Sequence, residues 1–268
     1  MSFWDWFLSV DNPSLPQSEY LYGPRHLAVL AAVVVATIVV SLILAKRSPR
    51  AKQIALYVFA CVLVFMEVSG RGVALYKTTD YSIGHLAQTL IPMHFCAICV
   101  WTFIISIFAR CRPLLRASVI AGMLATVLYL LFPAVGLNKT FIGYTEFYSV
   151  FTHCFAFVVC VATMAMGATN FKWREIWQPT LYFAIAVLYG VLLNFVIFPG
   201  ADYMYMREDP LPFSVPGVPY QVFMVVILAG VISLFYAFPS LKRWIQKKVN
   251  AKKAVAAPAT SPKNSGGK

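Results

Sequence analysis

Residues 54–76 read IALYVFACVLVFMEVSGRGVALY. About 20 such residues, rising 1.5 Å each, cross the roughly 30 Å hydrocarbon core of a bilayer as one helix. Inside this run stand Glu67 and Arg71. A charge at that depth costs roughly 2.5–3.5 kcal/mol even on insertion scales, so each is expected to have a partner and a use. Six further apolar runs, at 27–45, 89–109, 115–136, 147–168, 179–198 and 219–239, complete the reading. The expected fold is all-α, a polytopic bundle of seven transmembrane helices.

Composition supports this. With 60% hydrophobic residues, 12% charged residues and a mean hydropathy of +0.73, the chain is not that of a water-soluble protein. The runs use most of the 268 residues, so a second soluble domain does not fit. The expected division is an outer interfacial segment over 1–26, a membrane domain over 27–241, and a basic cytoplasmic tail over 242–268, disordered from about residue 251. Phe3, Trp4, Trp6, Phe7 and Leu8 read as an aromatic interfacial segment. A cleavable signal peptide is not expected, because Asp5 and Asp11 precede the first run and no basic stretch does.

Charge sets the expected orientation. Lys46, Arg47, Arg50 and Lys52 follow the first run, Arg110, Arg112 and Arg116 the third, and Lys172 and Arg174 the fifth. More basic residues, from Lys242 to Lys268, follow the seventh. Of the 22 Lys and Arg, only Arg25, Arg71, Lys77, Lys139 and Arg207 fall on the other side. The positive-inside rule then places the N-terminus outside and the C-terminus in the cytoplasm, which an odd number of spans requires. The net charge of +12 is thus read as topology, with attraction to anionic lipid headgroups at the cytoplasmic face and no nucleic-acid partner.

The polar groups of the spans share one level. Glu67 lies about 20 Å along the outward second span, while His94 and Cys96 lie about 8–10 Å below the outer end of the third. His153 is similarly placed in the fifth and Asn194 near the outer end of the sixth. Glu67 and Arg71, at i and i+4 with the acid first, are spaced for an ion pair. The pair either fixes helix packing or positions a histidine or a lipid headgroup. Ser69, Gly70 and Gly72 allow a neighbouring helix to approach closely. His94, near the start of its span, faces unpaired backbone N–H groups suited to an oxyanion. His94 and His153 beside a carboxylate are candidates for general acid–base work or for plain interhelical hydrogen bonding.

Cys96, two residues from His94, is expected about 200° round the same helix, a poor arrangement for a nucleophile and its base. Pairing of Cys96 with His153 remains open. Cys96 and Cys99 form a single C-x-x-C, too little for a zinc site. None of the six cysteines suggests a disulfide, and no cofactor or metal is expected. Five prolines stiffen the long outer loop 198–220, whose Asp202, Tyr203, Met204, Tyr205, Met206, Arg207, Glu208 and Asp209 make it a candidate lid over the polar layer.

Glu67-x-x-x-Arg71, the segment Ile91-Pro92-Met93-His94-Phe95-Cys96, Glu146-Phe147-Tyr148 with His153, Asn194, and the run from Asp202 to Pro210 occur in an order that resembles the YwaF-like family of bacterial integral membrane proteins. The resemblance spans about residues 54–225. It implies kinship with a vertebrate transmembrane acyltransferase that remodels ether phospholipids, and a bacterial cytoplasmic membrane as the location. In that vertebrate pattern a cysteine directly precedes the histidine; here the position is Met93. Direct transfer with a histidine as general base is therefore the expected chemistry.

The expected catalytic residues are His94, His153 and Glu67, with Cys96 as a further candidate. The expected contacts to a membrane phospholipid are Arg71, Asn194, Tyr148, Asp202, Tyr203 and Arg207. The alternative is a non-enzymatic membrane protein, a lipid-binding scaffold or small-solute transporter, whose polar layer is structural. A transport path needs polar groups through the full depth, which the inner half lacks.

Overall fold

The computed structural model describes residues 4, 7–8, 12–133, 136–207 and 216–256. Phe3, Asp5, Trp6, Asp11, Glu208, Asp209 and the tail beyond Ala256 lie outside the described residues. The architecture is all-helical. Six helices are long and apolar enough to cross a membrane, and a bent pair supplies a seventh span if it is taken as one. Among the described residues the only extended pairing is an isolated bridge between Ser14 and Lys139.

The elements are α1 (Pro24–Ala45), α2 (Pro49–Lys77), α3 (Ile83–Leu90), α4 (Phe95–Phe108), α5 (Arg112–Leu131), α6 (Tyr144–Ala165), α7 (Trp177–Leu192) and α8 (Tyr220–Ala256). Local chemistry explains their ends. Pro24 and Pro49 begin α1 and α2, where the missing N–H would be unpaired in any case. Ser48 caps α2 by accepting from the Ala51 N–H, and Ser82 caps α3 by accepting from His85. Gly167, at φ +73°, closes α6, with the Gly167 N–H donating to Met164 and the Ala168 N–H to Thr163. Arg110 holds the same left-handed position after α4.

The third expected span, 89–109, is not one helix. It breaks at Ile91–His94, and α3 and α4 meet at 61°. Pro92 lacks an N–H and disfavours helical backbone at the residue before it, so Ile91 turns extended at ψ 140°. His94 is consequently extended too (φ −88°, ψ 147°) and takes the N-cap position of α4, outside the helix and without a side-chain capping bond. The sixth span differs as well. Its last residues, Leu193–Ile197, widen from α into π-helix.

In a bilayer, helices associate through close packing and polar contacts, since lipid tails are as apolar as leucine. The centre of the bundle is therefore the helix with the smallest side chains. Helix α5 carries Ala117, Ser118, Ala121, Gly122 and Thr126 on buried positions and packs against α4, α6, α7 and α8. Half of its span is buried, against 6% for α1. A side-chain atom added at Gly122 would stand 3.1 Å from Cys160 Sγ on α6. Helix α1 seals the outside of α6, and α2 crosses both α4 and α6.

Candidate functional site

The same packing leaves a cavity of about 920 Å³ between α2, α4, α5, α6, α7 and α8. Glu67, Arg71, His94, Cys96, Tyr148, His153 and Tyr203 line it towards one end, and Leu63, Val100, Phe103, Gly122, Val159 and Cys160 line it deeper.

Glu67 is almost completely buried, and both its oxygens are occupied. Oε2 forms the ion pair with Arg71 one turn on, and Oε1 accepts from Tyr148 Oη at 3.0 Å. Arg71 also donates to the backbone carbonyls of Glu67 and, through Nε at 3.0 Å, of Leu90. Its guanidinium lies 5.7 Å from the centre of the Trp101 ring. This group thus ties α2 to α3, α4 and α6. Gly70 makes it possible, because a Cβ there would sit 2.5 Å from the Tyr148 ring. Tyr144 reinforces the contact by donating to Ser69 Oγ at 2.6 Å.

His153 is held in one tautomer. Its Nδ1 lies 2.7 Å from the Ser149 carbonyl. A carbonyl only accepts, so Nδ1 carries the proton and the neutral ring keeps an acceptor lone pair on Nε2. Tyr129 stacks flat on the imidazole, 3.8 Å between centroids and 8° between planes, which fixes its orientation. His94 is exposed, and it lines the cavity. Its ring meets Tyr203 edge to face at 5.6 Å.

Because His94 lies outside α4, the helical offset expected between it and Cys96 does not apply. Both line the cavity. Cys99 is buried and accepts a weak bond from Tyr182 Oη at 3.7 Å. Among the described residues, no group of three or more His, Cys, Asp or Glu is arranged to hold a metal ion.

The outer loop forms a roof. Tyr203, Met204, Tyr205 and Met206 line the cavity. Met204 (φ +63°) and Tyr205 (φ +52°) both take left-handed backbone, a conformation costing roughly 1–2 kcal/mol for a residue with a Cβ. Asn194 holds them there. Its Oδ1 accepts from the Tyr203 N–H at 2.7 Å, its Nδ2 donates to the Tyr203 carbonyl at 2.8 Å, and its own carbonyl accepts from Arg207 at 2.9 Å. Asp202 accepts from the Arg207 N–H at 2.8 Å. Asn194, Asp202 and Arg207 are thus placed behind the roof, bonded to it, rather than on the cavity wall. Burial pushes the phenols of Tyr203 and Tyr205 above their ordinary range, so both stay neutral.

Sequence reasoning misses Tyr129 and Thr152, which lie on apolar spans and show only once α5 and α6 are packed. It misses too a second ion pair at the basic end, where Arg116 meets Glu175 at 3.0 Å and donates to Gln178. His26, the one fully buried histidine, is structural. Its Nε2–H donates to the Leu130 carbonyl at 2.7 Å, and its Nδ1 accepts from the Tyr22 N–H.

No curated protein and no solved structure matches the chain. One family model does, that of the TMEM164 family, over residues 21–238. That stretch contains α1 to α7, the roof and the cavity-lining turns of α8, and so the chain belongs to the TMEM164 family of membrane proteins.

Proposed function

We propose that this protein is a membrane-embedded lipid-modifying enzyme, an acyltransferase or transacylase acting on a phospholipid of the outer leaflet. The observation that carries the reading is His153, whose proton is fixed on Nδ1 while its ring stands in the wall of a lipid-sized cavity. A neutral imidazole oriented in this way is a general base. In the proposed step the base takes the proton of an acceptor lipid's hydroxyl, and that oxygen attacks the ester carbonyl of the donor. The bond to the donor's glycerol oxygen then breaks, and this oxygen takes the proton back from the imidazolium. His94 stands at the N-terminus of α4, where unpaired N–H groups favour a developing oxyanion. Arg71 and Glu67 hold the wall together, and Arg71 supplies the positive charge nearest a headgroup phosphate.

The kinship with an ether-phospholipid acyltransferase, implied by the motif resemblance, supports the same reading. Cys96 is a cavity residue without a partner role in this route. The basic end would rest against anionic headgroups of the cytoplasmic leaflet, with exposed Trp173, Trp177 and Trp244 at the interface. The test is comparative lipidomics of cells with and without the gene, complemented by wild type, His153→Ala or Cys96→Ala. Wild type and Cys96→Ala are expected to restore the acyl-chain profile, and His153→Ala to fail while still accumulating in the membrane. A profile indifferent to the gene would remove the proposal.

A further inference from the structure

One side of the cavity is walled by exposed apolar residues. Val187, Val191 and Phe195 recur at every fourth residue, forming one ridge along α7 and its π-helical end. With Val225 on α8 they line the cavity and are also well exposed, from 41% (Val191) to 63% (Val225). Helix α8 is held mainly through α5 and the turn Trp173–Glu175, and its first turns line the same cavity as this ridge. The four residues are aliphatic or aromatic, while Tyr220 and Gln221 line the cavity at the outer end of α8. Val187 and Val191 lie well inside the span, where the ridge faces hydrocarbon, so what enters there is a lipid chain and not a solute from water.

Beneath the histidines the cavity continues as a limb lined by Leu63, Val100, Phe103, Gly122, Val159 and Cys160. From Phe95 to Phe103 along α4 it extends about 12 Å. This is a slot for a hydrocarbon chain. Where the limb meets the polar end stands Thr152, next to His153 on α6. It lines the cavity, only 6% of it is exposed, and its hydroxyl has no hydrogen-bond partner. Threonine in a helix has two open χ1 wells, so rotation about Cα–Cβ can reorient this hydroxyl. A buried hydroxyl without an acceptor is unfavourable, and an ester carbonyl at the head of a chain in the limb would satisfy it.

We infer that the cavity takes up one acyl chain of a bilayer glycerophospholipid through the gap between α7 and α8, with the chain in the apolar limb and its ester carbonyl hydrogen-bonded to the Thr152 hydroxyl. This rests on the lipid-site reading above and adds to it an entrance, a chain slot and a carbonyl-binding residue. The bond would hold the reacting carbon in the cavity that His153 also lines.

The test compares a diacyl phosphatidylcholine with its dialkyl ether counterpart, which lacks the carbonyls, by native mass spectrometry of the purified full chain in detergent. Wild type is expected to retain the ester lipid about tenfold better than the ether, one buried hydrogen bond's worth. Thr152→Val, nearly the same shape, should hold both at the ether's level, and Thr152→Ser should restore the preference. Equal retention of the two lipids by wild type, or an undiminished preference in Thr152→Val, overturns the carbonyl assignment and leaves a lipid site standing. Retention of neither lipid removes the lipid-site reading as well. For the entrance, Val191→Trp with Val225→Trp should slow loading from vesicles several-fold, and unchanged loading refutes that route.

Discussion

Glu67 illustrates what a carboxylate needs in order to stay in hydrocarbon: an ion pair on one oxygen and a phenol on the other. Removing the charge leaves Arg71 uncompensated, so Glu67→Gln is expected to cost roughly 3 kcal/mol and to lower the melting temperature in detergent markedly. Gly70 and Gly72 separate space from backbone. Gly70→Ala drives a methyl into the Tyr148 ring and should destabilise by about 1–3 kcal/mol, whereas Gly72, with nothing within 4 Å, should tolerate alanine or gain from it. Thermal unfolding of the two variants side by side checks this; equal effects would contradict the packing described. At this scale the sequence is informative. Intramembrane charge names Glu67 and Arg71, and the i, i+4 spacing names their pairing. The partner Tyr148 follows only from the packing of α2 on α6, and Tyr129 and Thr152 carry no charge that would single them out before α5 and α6 meet.

Among the elements, turns with special backbone give the sharpest expectations. Gly167 takes φ +73° with open space around it, so Gly167→Ala isolates the conformational term and should destabilise by roughly 1 kcal/mol. Arg110 occupies the same position after α4 at φ +53°, and Arg110→Gly should stabilise by up to about 1 kcal/mol. Opposite shifts in melting temperature are the expected result, and a destabilised Arg110→Gly would mean that its side chain matters more than its backbone. Apolar runs of about 20 residues locate the spans because length and hydropathy are local. The break at Pro92 is also written locally, yet hydropathy overrides it, since 89–109 stays apolar straight through. Helical geometry assumed across that break separates His94 from Cys96; the extended backbone at His94 removes the separation. The π-helical end of α7 has no comparable sequence signal. It follows from the roof, which draws on Asn194 at both its amide and its carbonyl.

Over the whole molecule, the polar cavity end and the basic end lie at opposite ends of an up-and-down bundle, with α2, α5 and α7 starting beside basic residues. By the positive-inside rule the cavity end is expected to be external. A cysteine introduced at Ser18 should react with a membrane-impermeant thiol reagent in intact cells, and one at Arg174 only after permeabilisation; the reverse pattern would invert the orientation and move the proposed chemistry to the cytoplasmic leaflet. On the proposed reading the parts serve a pocket reached from one leaflet, with His94 and His153 towards one end and an apolar limb below. The chemistry we propose is acyl transfer in this pocket with His153 as base. Its most direct test is the purified protein in vesicles holding a phospholipid with an isotope-labelled acyl chain and a lysophospholipid acceptor. Label on the acceptor is expected with wild type, and a loss of at least about a hundredfold in His153→Ala, the scale of a removed general base. Transfer undiminished in His153→Ala, or none from folded wild type, would contradict it.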